Sequence, residues 1–290
     1  MKKTLIALLI FSFGLFSSAN AFELFKKSSN QEIRTLLKQH KKAMDEHNIA
    51  KIKTFYDKDY KSFDGFNIDD LISMLEKTYS AYGNIKYKTK INNISAYDNW
   101  AIAQMSDTTS AQVYPIETKD LKKEKMGVLE GKSNYIVYLK KENNNWKIVS
   151  DEILMEETSL KYGIANDIKM NLITPMFVKS GEEYDLSLKI DKPEDVVALA
   201  SISREEITYP PLDCQEKFRK IPESGDLERL VKANNKNLDE YAVASIGFTK
   251  VSLNEKMTKA KIEVLGMAYL MKRINIDKIK EKSAQITELN

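Results

Sequence analysis

The hydrophobic pattern of this chain changes period once, at Gly83, and helices followed by an unbroken series of strands admit few architectures. Before that glycine, apolar residues recur every three or four positions. Ile33, Leu36, Leu37, His40, Met44 and His47 share one face of a helix predicted from Asn30. A short second helix covers Ile49 to Tyr56, and Asp57–Gly65 (DKDYKSFDG) is turn-rich. Asn67 caps a third helix, with Asp69 and Asp70 in the first turn, where the helix dipole favours acids. Its apolar face is Ile68, Leu71, Ile72, Leu75, Tyr79 and Tyr82, and Gly83 supplies the stop.

After Gly83 the period is two. Ile85, Tyr87, Thr89 and Ile91 alternate with Lys86, Lys88 and Lys90, giving one apolar and one wet face. Ile94 and Ala96 then take the opposite parity, which predicts a bulge at Asn92-Asn93. Trp100–Val113 alternates again, and Lys132–Lys141 with Trp146–Met155 forms a hairpin around Glu142–Asn145. The fold class is α+β, with three N-terminal helices on a curved antiparallel sheet.

The three helices, the Asp-Tyr-x-x-Phe-Asp-Gly turn of Asp59–Gly65 and a sheet ending in Asn-Trp-Lys-Ile (Asn145–Ile148) resemble the nuclear-transport-factor-2-like, or SnoaL-like, cone fold over about residues 29–160. The resemblance implies a sheet wrapped around the first helix to leave a conical cavity. It covers isomerases, cyclases and dehydratases as well as binding and assembly modules, so the fold alone does not decide the function.

Past Gly163 the runs are short and strand-like: Lys169–Val178, Tyr184–Ile190, Val196–Ser203, Glu206–Tyr209, Glu240–Thr249 and Lys261–Ile274. Asp226–Ala233 reads as a helical patch among them. Ala198–Ile202 (ALASI) is echoed by Ala242–Ile246 (AVASI), a pattern suited to facing strands of a sandwich. A second domain over 165–276 is therefore predicted to be all-β and sandwich-like. It follows a first domain over 22–164, with Gly163–Asp167 as the linker and 277–290 as a polar tail.

The N-terminus has the parts of a secretory signal peptide over residues 1–21: Lys2 and Lys3, an apolar run from Leu5 to Phe16, and small residues at Ala19 and Ala21. As a helix the run would reach about 18 Å against roughly 30 Å of hydrocarbon, so no membrane span is expected after cleavage. The expected location is periplasmic or extracellular. A lipid anchor at the cleavage site would need a cysteine there, and the single cysteine is Cys214, which also excludes an intrachain disulfide. The formal charge is +3, with Lys and Glu interspersed, and runs such as Lys119–Lys125 look like solvated loop. Nucleic-acid binding is not expected.

Candidate chemistry is sparse. The two histidines lie on the apolar face of the first helix, seven residues and about 10 Å apart, too far to chelate one metal together. His40 could border the cone cavity and work near neutral pH, or could be a helix-face histidine held by a neighbouring oxygen. Asp107 shares parity with Ala101, Ala103 and Met105, and Asp151 with Val149, Ile153 and Met155. A carboxylate on an apolar sheet face is desolvated and its pKa rises, although either could equally mark the sheet rim. His40, Asp107 and Asp151 are the candidate catalytic residues, and Tyr60, Trp100 and Tyr135 the candidate binding residues. No glycine-rich phosphate loop, serine elbow or metal-ligand spacing is present in the sequence. Cys214 sits beside Asp213 with no histidine after residue 47, so it is not expected to act as a nucleophile. The expected protein is an exported, non-catalytic binding or assembly module. It would need no cofactor or metal. Its partner would be a small apolar ligand or another envelope protein, and a homodimer is compatible with the pattern. The alternatives are an isomerase- or dehydratase-type enzyme using His40 with Asp107 or Asp151, and a structural protein with a filled cavity.

Overall fold

The computed structural model describes residues 17–113, 126–212, 216–253 and 260–277. The apolar run of the signal-like segment, the Lys119–Lys125 loop, Cys214 and nearly all of the polar tail lie outside the described residues. The first helix, α1 (Ser17–Asp45), starts upstream of Asn30 and runs through the expected cleavage site after Ala21. Helix α2 (Ile49–Lys53) is one turn. Helix α3 (Ile68–Ala81) has the expected cap: the Asn67 side chain accepts from the amides of Asp69 and Asp70, and Asp70 accepts from the Asn67 amide.

Four long antiparallel strands follow: β1 (Lys86–Tyr97), β2 (Trp100–Val113), β3 (Gly127–Glu142) and β4 (Asn145–Gly163). The bulge in β1 lies between Ile91 and Asn93, as the parity slip required. Asn143 and Asn144 both have positive φ, which suits the tight turn joining β3 to β4. Ile33 and Leu37 of α1 pack with Ile94, Ala101, Ala103, Val137, Leu139 and Ile148 in one core. The alanines on the sheet let the helix approach closely.

The second half has β5 (Met170–Ile173), β6 (Phe177–Lys179), β7 (Glu183–Ile190), β8 (Val197–Glu206), β9 (Arg219–Lys220), β10 (Asp226–Lys232), β11 (Glu240–Leu253) and β12 (Ala260–Asp277). The predicted helix over Asp226–Ala233 is strand β10, paired with β7 along its whole length. Leu227, Leu230 and Val231 have helical spacing, but Leu230 is exposed and only the pairing with β7 satisfies this backbone. The echoed segments are not facing strands either. They are antiparallel neighbours in one sheet, with Ala200 opposite Ile246 and Ile202 opposite Ala244. Their small residues form one flat patch, and Leu172, Leu186 and Leu188 of the three-stranded sheet β10-β7-β5 share its core.

The two halves have separate cores but one sheet, ordered β1-β2-β3-β4-β12-β11-β8-β9. The join is β4 against β12, with Glu157 opposite Lys272 and Gly163 opposite Gly266. Gly163–Asp167 is not a loose linker. Gly163 has φ 59° and a Cβ there would lie 2.2 Å from the Leu265 carbonyl, while Ala165 is wholly buried. Tyr241 donates to Glu156 across the same seam at 2.6 Å, and Ser73 of α3 meets the Tyr209 hydroxyl at 2.6 Å.

Candidate functional site

A cavity of about 60 Å³ lies between α1 and the inner face of β1–β4. Its polar lining is His40 and Lys41 of α1, Tyr56, Tyr87 and Thr89 of β1, Asp107 of β2, Tyr135 of β3 and Asp151 of β4. Leu37, Met44, Met105, Val137 and Ile148 complete it. Strand alternation puts Asp107 there, since it stands opposite Thr89 and two residues from Met105. Asp151 arrives by a different route. The β3–β4 ladder pairs Leu139 with Ile148 but Tyr138 with Ser150, so Val149 is an extra residue. That bulge puts Asp151 opposite Val137 and on the same face as Ile148, rather than on the face of Val149 that uniform alternation predicted.

Burial sets the electrostatics. Desolvation pushes the Asp151 carboxyl up to about 6, a hydrogen bond from Tyr60 pulls it back, Asp64 nearby raises it and Arg273 lowers it. The Asp107 carboxyl is also raised by burial, partly offset by Thr89, the Tyr135 hydroxyl and Lys41. Tyr135 donates to Asp107 Oδ2 at 3.0 Å; the Thr89 hydroxyl lies close to the carboxyl, but no donor reaches the buried Asp107 Oδ1 in hydrogen-bonding geometry. Burial raises the phenols of Tyr56, Tyr60 and Tyr135 as well, so all three stay protonated as potential donors. His40 is lowered to about 4 by desolvation and is neutral at pH 7. Its Nε2 lies 3.1 Å from the Tyr56 hydroxyl, and its ring meets Phe55 and Tyr56 edge-on.

The structure therefore brings His40, Asp107, Asp151 and Tyr135 to one cavity and places Tyr60 beside Asp151. Trp100 is elsewhere. It opens β2, is 53 % exposed, and carries Lys140 over its ring at 5.7 Å. His47 lies past the end of α1 with positive φ and stacks on Tyr79 at 4.0 Å. His40 lines the cavity, but its proton affinity is well below neutrality. Alternation had put Tyr87 and Thr89 on the inner face of β1 without marking them as site residues, and sequence reasoning missed Arg273, which no local pattern marks. Among the described residues no group of three or more His, Cys, Asp or Glu is placed to hold a metal, and no helix is long and apolar enough to cross a membrane.

No family model and no curated protein matches the chain. Solved structures similar to it include Bdellovibrio bacteriovorus Bd1075, at TM-score 0.34 and 20 % identity, over 42 % of this chain and 39 % of that one. A protein of the NTF2-like family from Streptomyces avermitilis is similar at TM-score 0.34 and 8 % identity, over 43 % of this chain and 95 % of that one. A SnoaL-like polyketide cyclase from Agrobacterium tumefaciens is similar at TM-score 0.28 and 9 % identity, over 41 % of this chain and 87 % of that one. The structural neighbours thus include NTF2-like and SnoaL-like proteins, the folds that the sequence resembles. At these scores the likeness carries nothing about activity.

Proposed function

We propose that this is an exported binding protein whose cone cavity takes a small, hydrogen-bond-donating ligand, and whose second half is a sandwich-like support. The observation that carries the reading is the Asp107 carboxylate oxygen, buried in the cavity wall without a donor. Buried polar oxygens in folded proteins almost always have a partner, and a ligand or solvent donor completes this one. The lining is mixed, and it is the unpartnered Asp107 oxygen that favours such a ligand over the apolar one that the sequence suggested. The room is small: about 60 Å³ accepts a few water-sized groups, against roughly 300 Å³ and more for a drug-sized ligand. The test is an NMR titration of the full chain with methylammonium, acetamide and benzene. Shifts at Thr89, Met105 and Tyr135 with the two donor probes support the proposal. Shifts with benzene alone would return the apolar reading, and no shift with any probe would make the cavity a filled structural element.

A second reading is proton-transfer chemistry of the isomerase or dehydratase kind. It is favoured by Asp151, whose value of about 6 suits a group that gives and takes protons near neutrality. Solvent deuterium appearing next to the carbonyl of dihydroxyacetone in the presence of the protein, and not with Asp151→Asn, would establish it. No uptake above the solvent background would remove it for that class of carbonyl compound.

A further inference from the structure

Arg273 belongs to β12, far along the chain from the cone, yet its side chain is almost wholly buried at the seam. Its guanidinium grips Asp64 with two nitrogens, at 3.0 and 2.5 Å, and reaches Asp239 at 2.5 Å. Its Nε donates to Asn275 at 2.9 Å, and Asp239 accepts the Ile276 amide at 2.8 Å, so the arginine is held from its own side. Asp64 is the acid of the Asp59–Gly65 turn. That turn lies along β4: the Phe63 amide donates to the Asp151 carbonyl at 2.9 Å and the Lys61 amide to that of Val149 at 3.2 Å. Tyr60, from the same turn, lies with its hydroxyl beside the Asp151 carboxyl and favours its ionised form. A chain of named contacts therefore runs from the second half of the protein, through one planar cation, to the carboxylate in the cavity wall.

We propose that Arg273 is a positioning residue for the cone cavity: by clamping Asp64 it holds the turn that carries Tyr60 against Asp151, so the site is completed by the second half of the chain. The fork geometry suits this task, because a bidentate guanidinium fixes the orientation as well as the distance of a carboxylate. The arginine also acts through its charge. Asp151 shares the cavity with His40, Lys41, Tyr56, Tyr87, Asp107 and Tyr135 and has Tyr60, Asp64 and Arg273 beside it; of the charges that act on its carboxyl, Arg273 favours the ionised form. Asp64 opposes it. Glu156, also near Arg273, is paired with Tyr241. The proposal depends on the preceding section only for what the cavity binds, since the clamp itself is tested with no ligand present.

The experiment follows the Asp151 carboxyl by NMR across pH in the full chain and in Arg273→Met, Arg273→Lys and Asp64→Asn. Arg273→Met should raise the Asp151 midpoint, because a cation is lost and Asp64 is left unneutralised. Asp64→Asn should lower it, because a like charge is removed. Both changes break the same ion pair, so a merely structural role would not move the midpoint in opposite directions. Hydrogen exchange at the Lys61 and Phe63 amides should quicken at least tenfold in Arg273→Met while amides in the middle of β2 stay protected. Midpoints that stay at the wild-type value, or move the same way in both variants, overturn the proposal, as does unchanged exchange in the turn. If Arg273→Met does not fold, Arg273→Lys and Asp64→Asn decide. Arg273→Lys keeps the charge but loses the fork, so its midpoint should stay near that of the wild type while the turn amides exchange faster. The reverse pattern refutes the clamp.

Discussion

Replacing Asp151 with Asn should stabilise the protein, by an amount that depends on pH in a defined way. The Asp151 carboxyl titrates near 6 in the folded state against an ordinary value of 3.8. At 1.36 kcal/mol per pH unit, that difference is about 3 kcal/mol of destabilisation carried by the ionised carboxylate. The sign follows from proton counting. Between the two values the folded protein binds more protons than the unfolded chain, so stability falls as pH rises through that window. Below 3.8 the penalty is absent, and above about 6 it is complete. Asn keeps the size and can still accept from Tyr60, but it has no charge to desolvate. Urea unfolding of wild type and Asp151→Asn at about pH 4, 5.5 and 7.5 measures the difference directly. The variant should be nearly equal to wild type at the lowest pH and about 3 kcal/mol more stable at the highest. A gain that is flat with pH, or a loss that grows with pH, would refute the assignment of Asp151 as a desolvated carboxylate. A gain of the expected shape identifies a site where folding free energy is given up, and proteins keep such costs where function needs the group.

Two further outcomes are expected. Glu240 is wholly buried and accepts from the Tyr184 hydroxyl, Arg204, and the backbone and side-chain amides of Asn234, at 2.7 to 2.8 Å. Glu240→Gln should cost about 3 kcal/mol in denaturant unfolding, since it removes the charge that all four groups point at, and an unchanged midpoint would show the network to be dispensable. The exported form should begin at Phe22, which mass analysis of protein recovered from outside the cytoplasm reads directly, and recovery there with Met1 retained would end the signal-peptide proposal.

The part of the fold that is local was legible in the sequence. Asn67 and Asp70 form the capping box that their spacing describes, and the parity slip after Ile91 marks a bulge. Asp107 reaches the cavity by plain alternation. What was not legible depends on strand pairing. Val149 shows no sequence mark of being extra; only the partner strand reveals that Leu139 and Tyr138 face Ile148 and Ser150. Asp226–Lys232 has a helical period, and β7 overrides it by offering a continuous ladder. Trp100 looked like a binding aromatic because of its residue type, yet its place at the start of β2 leaves it in solvent.

The same cause explains why Arg273 was invisible. Along β12 it sits among Leu270, Met271 and Ile274, where an arginine reads as an exposed interruption of an apolar strand. Buried charge is tolerated only where partners meet it, and its main partner, Asp64, is 209 positions away in the chain. No short-range pattern can pair two such residues. The turn that carries Asp64 was recognisable as a motif, but its acid had no assigned work until β12 was seen to run beside β4. A sheet shared by both halves turns a surface turn of the cone into an interior contact. A cut at Gly163 would therefore leave Asp64 and Glu156 without Arg273 and Tyr241, and both acids would remain on the cone side, Asp64 beside Asp151.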